Sequence, residues 1–255
     1  MKEMALSKTT VTEDPWSPLR RFTSARIALG RSGGALPLKE VLALKMAHAH
    51  ARDAVYGVLN SGPLISSLHT FSKPVLLMKS QARNREQYLL DPGLGRQLDP
   101  GSPDLSRKPD QGGISIIIAD GLSANAVNTH AIPLLEELVP MITTSGRKIN
   151  SFTVVEQARV AIGDQIGHWC NAEMTVLLIG ERPGLTVADS VGAYLTFNPL
   201  PGLTDESRNC VSNIHPAGLS YQNAASKIMF LINAAFQLGL TGISLKDEQD
   251  LLSPQ

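Results

Sequence analysis

The chain has few cysteines, no excess charge of either sign and no long apolar run, and each shortage removes a class of protein. Its 255 residues carry 23 Lys and Arg against 23 Asp and Glu, a formal net charge of zero. A general nucleic-acid binder works by neutralising phosphates and shows a basic excess or stripe, so no nucleic-acid partner is expected. The two cysteines, Cys170 and Cys210, lack the closely spaced Cys or His companions of a structural zinc site, so no metal site is expected. Their scarcity fits a reducing cytoplasm. The longest apolar stretches, around 114–119, 174–179 and 228–232, fall well short of the ~20 residues that cross a bilayer. The opening MKEMALSKTTVTEDPW places charges and threonines where a signal peptide needs an apolar core. A soluble protein with no membrane partner is expected. Also missing are a strand-linked G-x-G-x-x-G, a Walker A loop, a G-x-S-x-G elbow and an H-E-x-x-H helix.

What is present reads as a globular α/β protein: 43% of residues are hydrophobic and 18% charged, enough apolar content to fold. After the Arg/Gly-rich RRFTSARIALGRSGGALP, Pro37 suits a first helical turn. Leu38, Val41, Leu42, Met46, Ala49, Val55, Val58 and Leu59 then recur at spacings of three and four, which predicts one long amphipathic helix ending near Asn60-Ser61-Gly62-Pro63. Lys45, His48 and Arg52 share its other face. Residues 91–113, with four prolines and five glycines, read as a domain boundary. Beyond it, ISIIIADGLSANAV, INSFTVVEQARVAIGDQIGHW and MTVLLIGERPG alternate β-branched runs with helical stretches, and Ser123 is placed to cap the first of those helices. Such alternation predicts a mostly parallel sheet. GAYLTFNP and NCVSNI add shorter strands, and AASKIMFLINAAFQLGL reads as a helix buried on several sides. The expected organisation is an N-terminal extension and helical region over 1–90, a linker over 91–113 and a Rossmann-like domain over 114–255.

In open parallel sheets, ligands bind beyond the carboxyl ends of the strands. That rule selects Asp120 and Gly121, residues 156–160, and Gly180, Glu181 and Arg182, three loops expected at one edge. Gly30, Gly33 and Gly34 with Arg31 offer an alternative anion cradle, but no strand precedes them. His48 and His50 would point to different faces of a helix. Cys170, at the end of an apolar helix, reads as inert packing, whereas Cys210 sits in the loop context ESRNCVSNI.

Six segments in order, LRRFTSARIALGR, AHAHARDAV, IIIADGLSANAV, ARVAIGDQIG, LLIGERPGL with DSVGAYLT, and RNCVSNIHPAGL, resemble the small subunit of ethanolamine ammonia-lyase, an adenosylcobalamin-dependent bacterial enzyme. The resemblance runs from Leu19 to about Leu240. It implies that 114–255 is a Rossmann-like cobalamin-binding domain, and that the chain joins a larger barrel subunit in a hetero-oligomer with the cofactor between them. It further implies that the complete enzyme converts ethanolamine to acetaldehyde and ammonia, with an adenosyl radical abstracting a substrate hydrogen before the amino group leaves. The family's cobalamin contacts fall on Val160, Glu181 and Cys210, with no catalytic acid or base on this chain. The D-x-H-x-x-G motif of base-off cobalamin proteins is absent, because Asp120 is followed by Gly121 and Leu122; adenosylcobalamin is therefore expected base-on. The location implied is cytoplasmic, within or outside a bacterial microcompartment. Two rivals remain at this stage. A self-contained Rossmann-like nucleotide-dependent enzyme would need the missing fingerprint, and a purely structural interaction subunit would leave cobalamin untouched.

Overall fold

The computed structural model describes residues 11–246. Residues 1–10 of the expected N-terminal extension and residues 247–255 of the expected C-terminal domain lie outside that range. The chain divides into two compact units, Met1–Asp53 with Gly184–Ala188, and Ala54–Pro183 with Asp189–Gln255.

In the first unit a short 3-10 helix, Ser17–Phe22, precedes helix α1, Leu38–Val55, whose end enters the second unit. Arg26 donates to the Leu185 carbonyl at 3.0 Å, tying in the 184–188 segment. The apolar stripe expected along α1 is largely exposed: Leu38 is 71% and Met46 62% accessible, as are Trp16 at 68% and Phe22 at 73%. Lys45, His48 and Arg52 are exposed as well. The helix stops at Val55 rather than near Asn60. Gly57, a poor helix former, follows its end, its N–H turning back to the Ala54 carbonyl at 3.3 Å. Asn60 then stands at the N-cap position of a separate helix, α2, Ser61–Leu68.

The second unit is built on one six-stranded sheet. Strands β1 (Val75–Lys79), β2 (Ile114–Ala119), β3 (Ile149–Glu156), β4 (Met174–Gly180), β5 (Val191–Phe197) and β6 (Asn209–Ile214) take the order β1-β3-β2-β4-β5-β6. The first four are parallel, β5 runs against β4, and β6 runs against β5. This is the α/β class with a mostly parallel sheet that the alternating pattern predicts, and the two shorter strands and the late helix form where expected. Strands β2 and β4 are buried at every position, because helices cover both faces and a strand so covered reads as a continuous apolar run. Ile116, Ile118, Val176 and Leu178 pack with α2, α4 (Ala124–Thr144) and α6 (Tyr221–Leu238). Ile117, Ala119, Leu177 and Ile179 point the other way, to Ile162 and Ile166 of α5, Ile162–Trp169. Ser123 caps α4, accepting from the Ala126 N–H at 3.3 Å.

Strand β1 falls in the region read as helical, since a run of four apolar residues, Val75 to Met78, gives too little periodicity to choose strand over buried helix. Residues 91–113 lie inside the second unit. They contain a short 3-10 turn, Leu94–Arg96, and run along the open edge of β1. Asp104 accepts from the Leu77 N–H at 2.8 Å, Ser102 accepts from the Lys79 N–H at 3.1 Å, and the Asp99 N–H donates to the Lys79 carbonyl at 2.9 Å. An edge strand carries unpaired backbone groups; a turn-rich segment with short polar side chains satisfies them here.

Candidate functional site

Parallel alignment of β2, β3 and β4 brings their three following loops out at one edge. Two glycines allow the β2 and β4 ends to close on each other. Gly121 takes φ +56°, and a Cβ there would strike the Gly180 carbonyl, while a Cβ on Gly180 would strike the carbonyls of Ser123 and Asp120. The Leu122 N–H donates to the Gly180 carbonyl at 2.9 Å.

Asp120 turns inward at this point and is only 2% exposed. Its two oxygens accept from the N–H groups of Gln157 at 2.9 Å and Ala158 at 3.0 Å. They thereby hold the loop after β3, including Gln157 in the left-handed region at φ 56°, a conformation that costs about 1 to 2 kcal/mol for a residue with a side chain. Arg85, near the start of helix α3 (Arg85–Leu90), sits 3.6 Å from the carboxylate. It also donates to the carbonyls of Val55 at 2.6 Å and Gly121 at 2.8 Å. Burial pushes the Asp120 carboxyl up to about 6, against the Ala158 N–H, the Arg85 guanidinium and the Gln157 N–H, which favour the charged form. Tyr88 lies between two cations, with the guanidinium carbons of Arg85 and Arg159 at 4.6 and 4.2 Å from its ring centroid. Its hydroxyl donates to the Ala158 carbonyl at 3.1 Å. Burial raises the phenol's pKa and keeps it neutral.

The β4–β5–β6 end is built differently. Glu181 places one carboxylate oxygen, Oε2, under the Ser190 hydroxyl at 2.6 Å and the Asn213 N–H at 3.1 Å. Among the described residues no donor reaches the other oxygen, Oε1. Gly192 leaves room for this arrangement, since a Cβ there would lie 3.1 Å from Oε1 and 3.4 Å from the Tyr194 ring. Cys210 of β6 is the register partner of Tyr194 in β5. Burial pushes the Cys210 thiol up and the nearby Glu181 carboxylate adds to this, while the Tyr194 hydroxyl works against both. Tyr194, Arg159 and Val160 are common to the walls of two clefts, of about 440 and 500 Å³. Glu181, Arg182, Leu122 and Ile179 complete the first, and Arg96 and Asp205 stand in the second. Volumes of this size suit small-molecule ligands.

Comparison with known proteins gives the family. Residues 13–246 match the family model Ethanolamine ammonia-lyase light chain (EutC). The chain belongs to that family. It is 47% identical over 249 residues to the ethanolamine ammonia-lyase small subunit of Azotobacter vinelandii, covering 96% of this chain and 92% of the relative. The corresponding figures are 45% over 247 residues for the small subunit of Ralstonia nicotianae, covering 95% and 92%. For that of Bradyrhizobium diazoefficiens they are 46% over 255 residues, covering 98% and 97%.

In this light-chain fold the three residues singled out from sequence converge. Val160 and Glu181 line one cleft, and Cys210 stands beside it through Tyr194. Of the other strand-end candidates, Arg182 lines the cleft and Asp120 is enclosed beneath it. Cys170 is fully buried, its thiol pushed up by burial against the Ser151 and Ser115 hydroxyls. Among the described residues no group of three or more His, Cys, Asp or Glu is placed to hold a metal ion. Sequence reasoning passed over Tyr194, Arg85 and Tyr88, and it selected Arg159 only as one member of the loop 156–160; Tyr194 becomes visible only once β5 is set antiparallel to β4.

Proposed function

We propose that this chain is the cofactor-binding, non-catalytic subunit of an adenosylcobalamin-dependent ethanolamine ammonia-lyase, working in a cytoplasmic hetero-oligomer with a large subunit that holds the substrate. The observation that carries this reading is that Val160, Glu181 and Tyr194 share one cleft, with Cys210 on β6 the register partner of Tyr194. Residence in a microcompartment belongs to the same proposal and is checked by fractionation.

The residues at this edge fit the group. A corrin presents an apolar body fringed by amide arms. Val160, Leu122, Ile179 and the Tyr194 ring offer apolar surface, and the unpartnered Oε1 of Glu181 can accept from an amide N–H. When bound, adenosylcobalamin supplies the carbon-centred radical that starts the removal of ammonia from ethanolamine, leaving acetaldehyde. The protein's own contribution is to bind and orient. Glu181 is locked by Ser190 and Asn213, so its free oxygen keeps a fixed direction. Val160 is placed by a loop that Asp120 anchors three and two residues earlier.

Asp120 has both oxygens engaged internally, and burial holds the Tyr88 and Tyr194 phenols neutral, which leaves Glu181 with its one free oxygen as an acceptor. This supports a binding role rather than a catalytic one. The missing D-x-H-x-x-G motif is the ground for reading the cofactor as one that keeps its own dimethylbenzimidazole as lower ligand. The exposed Trp16, Phe22, Leu38 and Met46 of the first unit are large apolar side chains that a protein partner would cover.

The test is to prepare this chain, the large subunit and their mixture, titrate each with cyanocobalamin by absorption, and assay acetaldehyde release from ethanolamine with adenosylcobalamin supplied. The mixture should bind cofactor and turn over, and this chain alone should do neither measurably. Turnover by this chain alone, or full cofactor affinity in the large subunit alone, contradicts the proposal. Paramagnetic resonance of the cob(II)alamin form with labelled benzimidazole nitrogen checks the lower ligand, and an unchanged hyperfine pattern refutes the base-on state.

A further inference from the structure

The clefts at the strand ends are rimmed by guanidinium groups that lack carboxylate partners. Arg96, Arg159 and Arg182 line them, and among the described residues none of the three stands in an ion pair. Two carboxylates stand on the same walls, and neither pairs with these three arginines; Glu181 keeps one oxygen free for a neutral donor. Glu181 accepts from Ser190 and Asn213, and Asp205 pairs with Arg208 at 2.7 Å. Arg159 is the member common to both clefts. One terminal nitrogen donates to the Tyr88 carbonyl at 3.3 Å, and its Nε is buried with no acceptor. A buried guanidinium donor without an acceptor is costly to leave unmet, and a fork of charged donors suits a planar or tetrahedral oxyanion. Stacking on Tyr88 fixes the plane of that fork.

We propose that Arg159, flanked by Arg96 and Arg182, binds the phosphodiester of the nucleotide loop that links the corrin to its lower base. This rests on the cobalamin reading above and adds to it a specific contact. The choice of anion follows from cofactor chemistry: the corrin's arms are neutral amides, and the phosphodiester is the one negatively charged group on its periphery. Cleft walls that place apolar Val160 and Tyr194 beside Arg159 present the two surfaces that a corrin edge and its nucleotide loop require. The proposal also accounts for why cations gather where the chain as a whole carries no excess charge. Arg159 acts here as a binding residue, and its contribution vanishes for any corrinoid that lacks the phosphate.

The experiment uses the chain assembled with its large subunit and three probes: cyanocobalamin, cobinamide, and cobinamide phosphate. Dissociation constants are read by absorption or quenching of protein fluorescence. In the unaltered complex cobinamide phosphate should bind at least about tenfold more tightly than cobinamide, the scale of a charge-assisted hydrogen bond. In Arg159→Gln that ratio should fall towards one while cobinamide affinity is retained, and Arg159→Lys should keep part of it. Arg96→Ala, at an exposed position, should reduce the ratio by a smaller factor. A ratio near one in the unaltered complex overturns the inference. So does an Arg159→Gln variant that weakens both cobinamides equally, which would make Arg159 a support for Tyr88 alone. Failure of the unaltered complex to bind cyanocobalamin would instead remove the cobalamin reading, and this inference with it.

Discussion

Asp120 and Glu181 follow neighbouring parallel strands at the same edge of the sheet, yet one is enclosed and the other faces a cleft. Asp120 lies at the switch between β2 and β3, whose following helices α4 and α5 cover opposite faces. That crevice is where open sheets usually admit ligands. Here the Asp120 side chain fills it, bonding the Gln157 and Ala158 N–H groups. The open space is displaced by one strand, to where β4 meets the antiparallel β5 and β6. There Glu181 uses one oxygen inward and leaves the other free. Strand-end position therefore selects an edge; the direction of the neighbouring strands decides which carboxylate holds the fold together and which is left to bind.

The comparison is broken most severely by removing Arg85. Arg85→Met leaves the Asp120 carboxylate without its cation, and loss of one partner from a buried pair costs about 3 to 5 kcal/mol. Urea unfolding should show that loss, whereas Glu181→Ala should cost about 1 kcal/mol, the scale of a typical hydrogen bond. Equal losses in the two variants would erase the distinction between the two ends.

A second test uses pH. The Asp120 carboxyl titrates at about 6 in the fold against an ordinary value of 3.8, so between those values the folded chain binds more protons than the unfolded one. Stability from this group is complete below about pH 4, declines as pH rises and is lost above about 6, a change on the order of 3 kcal/mol. The difference in unfolding free energy between the native chain and Asp120→Asn should shrink by that amount across this window. A difference that stays constant from pH 4 to 7 contradicts the enclosed state of the carboxyl.

The third test sharpens the open end. Glu181→Ala in the assembled enzyme should raise the apparent constant for adenosylcobalamin roughly 10- to 150-fold, the equivalent of about 1.5 to 3 kcal/mol for a bond to a charged group. The Michaelis constant for ethanolamine should move far less. If the substrate constant rises while the cofactor constant stays fixed, Glu181 belongs to a substrate site and the assignment of roles to the two subunits is wrong.

Much of the sheet was legible because β2, β3 and β4 are covered on both faces and so write long β-branched runs into the sequence, with Ser123 marking the helix that follows. Val75–Lys79 was not, since four apolar residues after a proline fit a strand or a buried helix equally well. The turn-rich stretch 91–113 resembled a linker because the groups that cover an edge strand, short Asp and Ser side chains between prolines and glycines, are those that also make loops. Along α1 the spacing gave the helix but not its surroundings; periodicity reports a face, and Leu38 and Met46 show that the face is exposed here. At the site, strand order selected the loops that carry Val160 and Glu181, and the family resemblance singled those two residues out within them. Tyr194 and the Arg85–Tyr88–Arg159 stack depend on contacts between residues distant in sequence, which no local pattern encodes.

The central claim, that the open end of this edge holds cobalamin, is tested most directly at Cys210. The chain has two cysteines, of which Cys210 is exposed and Cys170 buried, so alkylation by iodoacetamide reports on one thiol with an internal control. Burial pushes the Cys210 thiol up, so labelling is followed at mildly alkaline pH by mass spectrometry of the peptide. In the complex with the large subunit, Cys210 should react in the absence of cofactor and be protected when cyanocobalamin is bound, with Cys170 unreactive in both. Equal Cys210 labelling with and without cyanocobalamin, under conditions where the absorption spectrum shows the cofactor bound, would contradict the account.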